Sequence, residues 1–79
     1  MTPAVQELSH RFADQATLAS WASSIEDSSV PTSAVVRAVR MSPTLTLALS
    51  LCEDSRSRSE FISDIHSRLN AMLRSRIPF

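Results

Sequence analysis

Glycine is missing from all 79 residues of the chain, where average usage would supply about five. Phosphate-cradling loops, nucleophile elbows and dinucleotide fingerprints need glycine wherever backbone turns sharply or approaches a ligand closely, so these function classes are excluded. Tight hairpin turns lean on glycine too, and what remains is short helices joined by Ser, Pro and Asp connectors. A single cysteine, Cys52, cannot close an internal disulfide, so this is no disulfide scaffold and a reducing compartment is expected. No apolar run approaches the roughly 18 residues of a membrane span, and the opening MTPAVQELSH lacks the basic-then-apolar layout of a signal peptide. The expectation is a soluble, intracellular protein with no membrane partner. His10, His66 and Cys52 have no zinc spacing, so neither metal nor cofactor is expected. Lysine is missing as well, and all eight basic residues are arginine.

Apolar residues make up 43% and the formal net charge is zero, which separates the chain from disordered polyampholytes and from strongly basic nucleic-acid binders. At this length residues 1–79 form one domain with a small core, which a partner or a second copy would help to stabilise. The charge is unevenly spread. Glu7, Asp14, Glu26 and Asp27 against Arg11 leave residues 1–30 at −3, while seven arginines against Glu53, Asp54, Glu60 and Asp64 leave residues 31–79 at +3. Such polarity suits head-to-tail self-association, an acidic partner for the back half, or acidic-on-basic packing within the chain.

Thr2-Pro3 can open a helix, on which Val5, Leu8 and Phe12 share a face. Leu18, Trp21, Ala22 and Ile25 form a second face rotated by about 100°. Residues 1–26 are therefore either two short helices broken around residues 14–17 or one long helix with two contact faces. Glu26-Asp27-Ser28-Ser29-Val30-Pro31 reads as a linker. Thr32 or Ser33 is expected to cap a helix running to Met41, with Val35, Val36 and Val39 on one side and Arg37 and Arg40 on the other. Ser42-Pro43 starts the next element, whose body Thr44-Leu45-Thr46-Leu47-Ala48-Leu49-Ser50-Leu51 alternates as a half-buried strand does. The same residues make a wide apolar helical face, and the leucine content, the Ser-Pro start and the lack of a strand partner favour helix. Ser57-Arg58-Ser59-Glu60 has capping-box spacing and predicts that Ser57 caps the last helix. Behind it Phe61, Ile62, Ile65, Leu69, Met72 and Leu73 form one stripe, with Asp64 and Arg68 four apart on the outer side. This helix is expected to end near Arg74 or Arg76, before Pro78.

Catalytic constellations do not emerge. Serines are numerous, but there is no elbow, and a helical domain of this size has little room to enclose a substrate. Glu26-Asp27 and Glu53-Asp54 fall at expected helix ends and read as solvated connector charges. His66 reads as a boundary residue, Cys52 as a small buried hydrophobe, and Trp21 as core or, alternatively, an interface anchor. Ser55-Arg56-Ser57-Arg58-Ser59 reads as a helix cap with a solvated basic flank; modification or nucleic-acid contact is its other reading. Arg37, Arg40, Arg56 and Arg58 are expected on the exposed basic side of the back half and, with Trp21, are the candidate partner-binding residues.

The phrase Val39-Arg40-Met41-Ser42-Pro43, then Leu45, Leu49 and Cys52, then Arg56-Ser57-Arg58-Ser59-Glu60-Phe61-Ile62, resembles the ribbon-helix-helix family of dimeric DNA-binding regulators and antitoxins. That resemblance covers residues 35–73 and implies that Arg37 and Arg40 lie on or beside a strand entering the major groove, with Ser57 and Ser59 near backbone phosphates. The family's inter-helix glycine is not present here. Val35-Val36-Arg37-Ala38-Val39, Leu51-Cys52-Glu53-Asp54, Glu60-Phe61 and Ile65-His66-Ser67-Arg68-Leu69 are also similar to the X domain of paramyxovirus phosphoproteins, a three-helix bundle that binds a nucleoprotein tail. The shared content is a compact helical module with two helices meeting at residues 55–59.

The expected fold is thus all-α, a compact bundle of four or five short helices able to dimerise, with an acidic helical front over 1–26 and a basic helical back over 32–76. The expected function is non-enzymatic: protein-protein interaction with a partner bearing an acidic surface, as an adaptor, regulator, or viral or phage accessory factor. A dimeric ribbon-helix-helix DNA-binding regulator is the alternative, which zero net charge and the lack of lysine disfavour.

Overall fold

In the computed structural model, which describes residues 3–76, the chain forms five α-helices: α1 Pro3–Phe12, α2 Gln15–Ser23, α3 Thr32–Met41, α4 Pro43–Ser50 and α5 Ser55–Ser75. No strand occurs among the described residues, so the architecture is the expected all-α bundle. Thr2 and Pro78, the expected outer limits of the first and last helices, lie outside the described residues.

The acidic front is two helices, and the break at Ala13–Asp14 falls at the start of the expected window. Asp14 ends the continuity by accepting the Thr17 N–H at 2.9 Å, which satisfies an orphan donor at the start of α2. That bond holds the Asp14 carboxyl below its ordinary pKa. Residues 26–31 are non-helical, as the linker reading requires.

Helix α3 corrects one expectation. Neither Thr32 nor Ser33 caps it: Pro31 takes the cap position without a side-chain bond, and Thr32 is the first helical residue. Its extended backbone at Pro31 and the locked proline ring set the entry angle, so no hydroxyl is required. Ser42 does cap α4, its Oγ accepting the Leu45 N–H at 3.2 Å, and Pro43 follows in the first turn, where its missing N–H costs nothing. Of the alternating leucines, Leu45, Leu47 and Leu49 are therefore helical, and Leu51 is the C-cap. Leu45 and Ala48 face the core, while Leu47 and Leu51 are exposed.

The start of α5 is a second correction. Asp54, not Ser57, is the cap: its carboxylate accepts the Ser57 N–H at 2.8 Å, and the helix begins at Ser55. A carboxylate at the positive end of a helix outcompetes a hydroxyl three residues later, and the bond lowers the Asp54 pKa. Glu60 pairs instead with Arg56, one turn back, at 3.4 Å. Asp54 is thus more than a connector charge.

Helix α5 is the spine. Its 21 residues give about 31 Å of length at 1.5 Å per residue, enough to pack against α1, α2 and α3, while α4 closes the bundle on α1 and α3. Phe61, Ile65, Leu69 and Leu73 of the expected stripe are buried, with Ile62 and Met72 at its edges. Cys52 is buried as expected, and its burial raises the thiol pKa. Asp64 and Arg68 are a third correction: the pair exists at 3.0 Å but turns inward against α1. There the Ser9 hydroxyl, fully buried, donates to Asp64 Oδ2 at 2.6 Å and accepts from Arg68 Nη2 at 2.8 Å.

Two further ties hold the non-helical segment. The Val30 N–H donates to Asn70 Oδ1 at 2.8 Å, and Asn70 Nδ2 donates to the Val30 carbonyl at 3.1 Å. Arg76 donates to the carbonyls of Ala22, Ile25 and Asp27, which places a cation at the electronegative end of α2.

Candidate functional site

An open groove of about 450 Å³ lies between α3 and α5. Its floor is apolar, made by Val36 and Val39 of α3, Leu49 of α4 and Ile62 of α5. These side chains meet because α3 is anchored at both ends. Its start is tied to the middle of α5 through Val30, His66 and Asn70, and its end turns at Ser42 into α4. Positions 36 and 62 sit at the margins of stripes whose central members, Val35 with Val39 and Phe61 with Ile65, fill the core. Marginal apolar residues on two adjacent helices leave a furrow that nothing else in the described chain covers.

Arg40 rises from the α3 wall and Arg58 from the α5 wall, together with Ser55 and Ser59 of the first turns of α5. Thr32, Ser63 and His66 line the opposite end. Neither Arg40 nor Arg58 makes an ion pair among the described residues; Arg58 is close enough to Asp54 only to help keep that carboxyl low. Two guanidiniums from different elements therefore converge beside an apolar floor with their donors uncommitted.

His66 Nε2 lies 2.9 Å from both the Val30 carbonyl and Asn70 Nδ2. With one proton position at that nitrogen the two bonds alternate: Nε2–H donates to the carbonyl, or bare Nε2 accepts from the amide. Its boundary character is borne out, and its polar edge belongs to the tie between α3 and α5.

Of the five sequence-chosen residues the fold brings two together. Arg37 lines the neighbouring outer depression of α3 with Arg40 and Met41. Arg56, two residues from Arg58, points about 200° away from it around the helix and is occupied with Glu60. Trp21 is half-buried in a separate apolar groove of about 280 Å³, with Ile25, Val30 and Ala38. The single basic side expected of the back half is thus divided between faces.

Catalytic machinery does not assemble at the other polar cluster. Ser9 is sealed from solvent and bonded directly to a carboxylate, while His10 approaches Asp64 at 3.8 Å and does not reach the hydroxyl. Among the described residues no group of three or more His, Cys, Asp or Glu could hold a metal ion, and no helix is long and apolar enough to cross a membrane.

No family model, curated protein or solved structure matches the chain. Sequence reasoning missed Leu49, Ile62 and Ser59 as contributors to the groove between α3 and α5. Their signal was available in part, since 62 flanks the stripe rather than continuing its centre, but pairing it with Val36 requires knowing which helices are neighbours.

Proposed function

We propose that the chain is a non-enzymatic protein-protein interaction module that binds a partner with an acidic surface through the groove between α3 and α5. The observation supporting this reading is the union of an apolar floor with Arg40 and Arg58, neither of which makes an ion pair among the described residues. Apolar burial supplies affinity there, and unpaired guanidiniums supply preference for an acidic surface and faster encounter. The adaptor or regulator role belongs to this reading. Arg37 and Arg40 standing on a helix rather than a strand favours it over the ribbon-helix-helix alternative.

A photo-crosslinking residue at Ser63, on the groove rim, tests the proposal in the native host. Cross-linked proteins identified by mass spectrometry are expected to include an acidic one that is lost when Arg40→Glu and Arg58→Glu are combined. Tight, salt-sensitive, sequence-selective duplex binding by a dimer, abolished by Arg37→Ala or Arg40→Ala with the fold intact, would replace this reading with the DNA-binding one.

A further inference from the structure

Resting on the protein-binding reading, we infer that the groove between α3 and α5 takes an amphipathic helix of the partner, with Asp or Glu in that helix's first turn pairing with Arg40 and Arg58. The groove is the furrow between two helices, and no sheet edge exists among the described residues to pair with an extended peptide. A third helix seated along the furrow is the mode this geometry offers.

Length and chemistry narrow the occupant. From Thr32 to Arg40 the α3 wall rises about 12 Å, or roughly two helical turns. That length accommodates two apolar anchors at i and i+4, resting on Val36, Leu49 and Ile62. Charge is confined to one end of the groove, where Arg40 and Arg58 stand, while the other end offers Thr32, Ser63 and His66. Carboxylates therefore belong at the arginine end, where each guanidinium can engage one in a two-pronged bond. Acidic residues favour the first turn of a helix, so the partner helix enters at Arg40 and Arg58 and runs in the same direction as α5. The Trp21 groove lacks a charged lining residue and gives such a helix nothing to pair with.

The test uses synthetic peptides of about four helical turns with leucines at i and i+4. One carries Asp and Glu in the first turn, a second carries Asn and Gln instead, and a third has the acids moved to the last turn. Each is titrated into the isotope-labelled full chain and followed by amide chemical shifts, with Trp21 fluorescence reporting the other groove. The first peptide is expected to shift residues around 36, 40, 58 and 62. Its affinity is expected to fall by about tenfold or more in Arg40→Gln, in Arg58→Gln, and for the second and third peptides. Both arginines are exposed, so the variants are expected to keep the parent spectrum.

Equal binding of the first and second peptides, or affinity unchanged in both arginine variants, overturns the inference. So do shifts centred on Trp21 and Ile25, or peptide-free shifts at the groove that grow with dimer formation and assign it to the chain's own acidic front. An arginine-dependent cross-link to a partner at Ser63, with no binding of the first peptide, removes the helix inference and leaves the protein-binding reading in place. Sequence-selective duplex binding through Arg40 removes both.

Discussion

Replacing Ser9 with alanine tests whether the polar cluster between α1 and α5 is a structural tie. The hydroxyl is fully buried and makes two bonds to ionic partners, to Asp64 at 2.6 Å and from Arg68 at 2.8 Å. A hydrogen bond to a charged group contributes about 1.5–3 kcal/mol, and Ser9→Ala removes both. Neither charge is stranded, however, because Asp64 keeps Arg68 Nε at 3.0 Å and Arg68 keeps the Ser9 carbonyl at 3.3 Å. The expected loss is therefore nearer one bond than two, about 2 kcal/mol. A domain of this length has about 4–12 kcal/mol of total stability, and the loss corresponds to a Tm lower by about 8–16 °C. Asp64→Ala takes from Arg68 its only carboxylate partner among the described residues and from the Ser9 hydroxyl its acceptor, leaving the guanidinium only its bonds to Ser9, and is expected to cost more, about 2–4 kcal/mol. The double variant is expected to fall short of the sum by about 1–2 kcal/mol, since both changes break the same bond. Urea unfolding followed by far-UV circular dichroism measures all three. A Ser9→Ala midpoint within about 0.5 kcal/mol of the parent, or strict additivity in the double variant, would refute the tie.

The cap assignment predicts that Ser57→Ala stays within about 0.5 kcal/mol of the parent, because its backbone N–H survives, whereas Asp54→Ala lowers Tm; the reverse order would restore the Ser57 cap. Since Asp54 has a depressed pKa in the folded state, its contribution is complete above the ordinary value of 3.8 and drains away as pH falls through the lower folded value, which an acid titration of Tm would reveal as a steeper slope in the parent than in Asp54→Asn, where the slope from Asp14 remains. Phe61→Ala opens a cavity at a fully buried site and is expected to cost about 3–5 kcal/mol, read from the urea midpoint. Asn70→Ala removes both bonds to Val30, so the Val30 amide is expected to exchange hydrogen much faster while the α5 interior stays protected; unchanged exchange at Val30 would count against the tie.

Helix α4 shows how far local signals reach. Ser42-Pro43 before a leucine-rich run suffices to make it helical, because a hydroxyl cap and a proline at the first position act within one turn. The α5 stripe is legible for the same reason, since burial of Phe61, Ile65, Leu69 and Leu73 follows from a period that a single helix enforces. Competition between neighbouring caps is harder to read. Asp54 and Ser57 both have the right chemistry, and the choice depends on which backbone conformation the preceding turn at residues 51–54 imposes.

Composition and periodicity were enough to favour an all-α bundle of four or five helices and to draw the stripe of its last helix, because these depend on residues within a few positions of one another; whether residues 1–26 form one helix or two, and whether residues 44–51 are helix or strand, they left open. They could not place Asp64 and Arg68, whose face was set by a buried serine 55 residues away from Asp64. Nor could they divide the arginines. Arg40 and Arg58 line one furrow while Arg56 turns to Glu60, because α3 and α5 become neighbours only when Val30, His66 and Asn70 are brought together, and contact between distant segments is written in packing rather than in any local pattern.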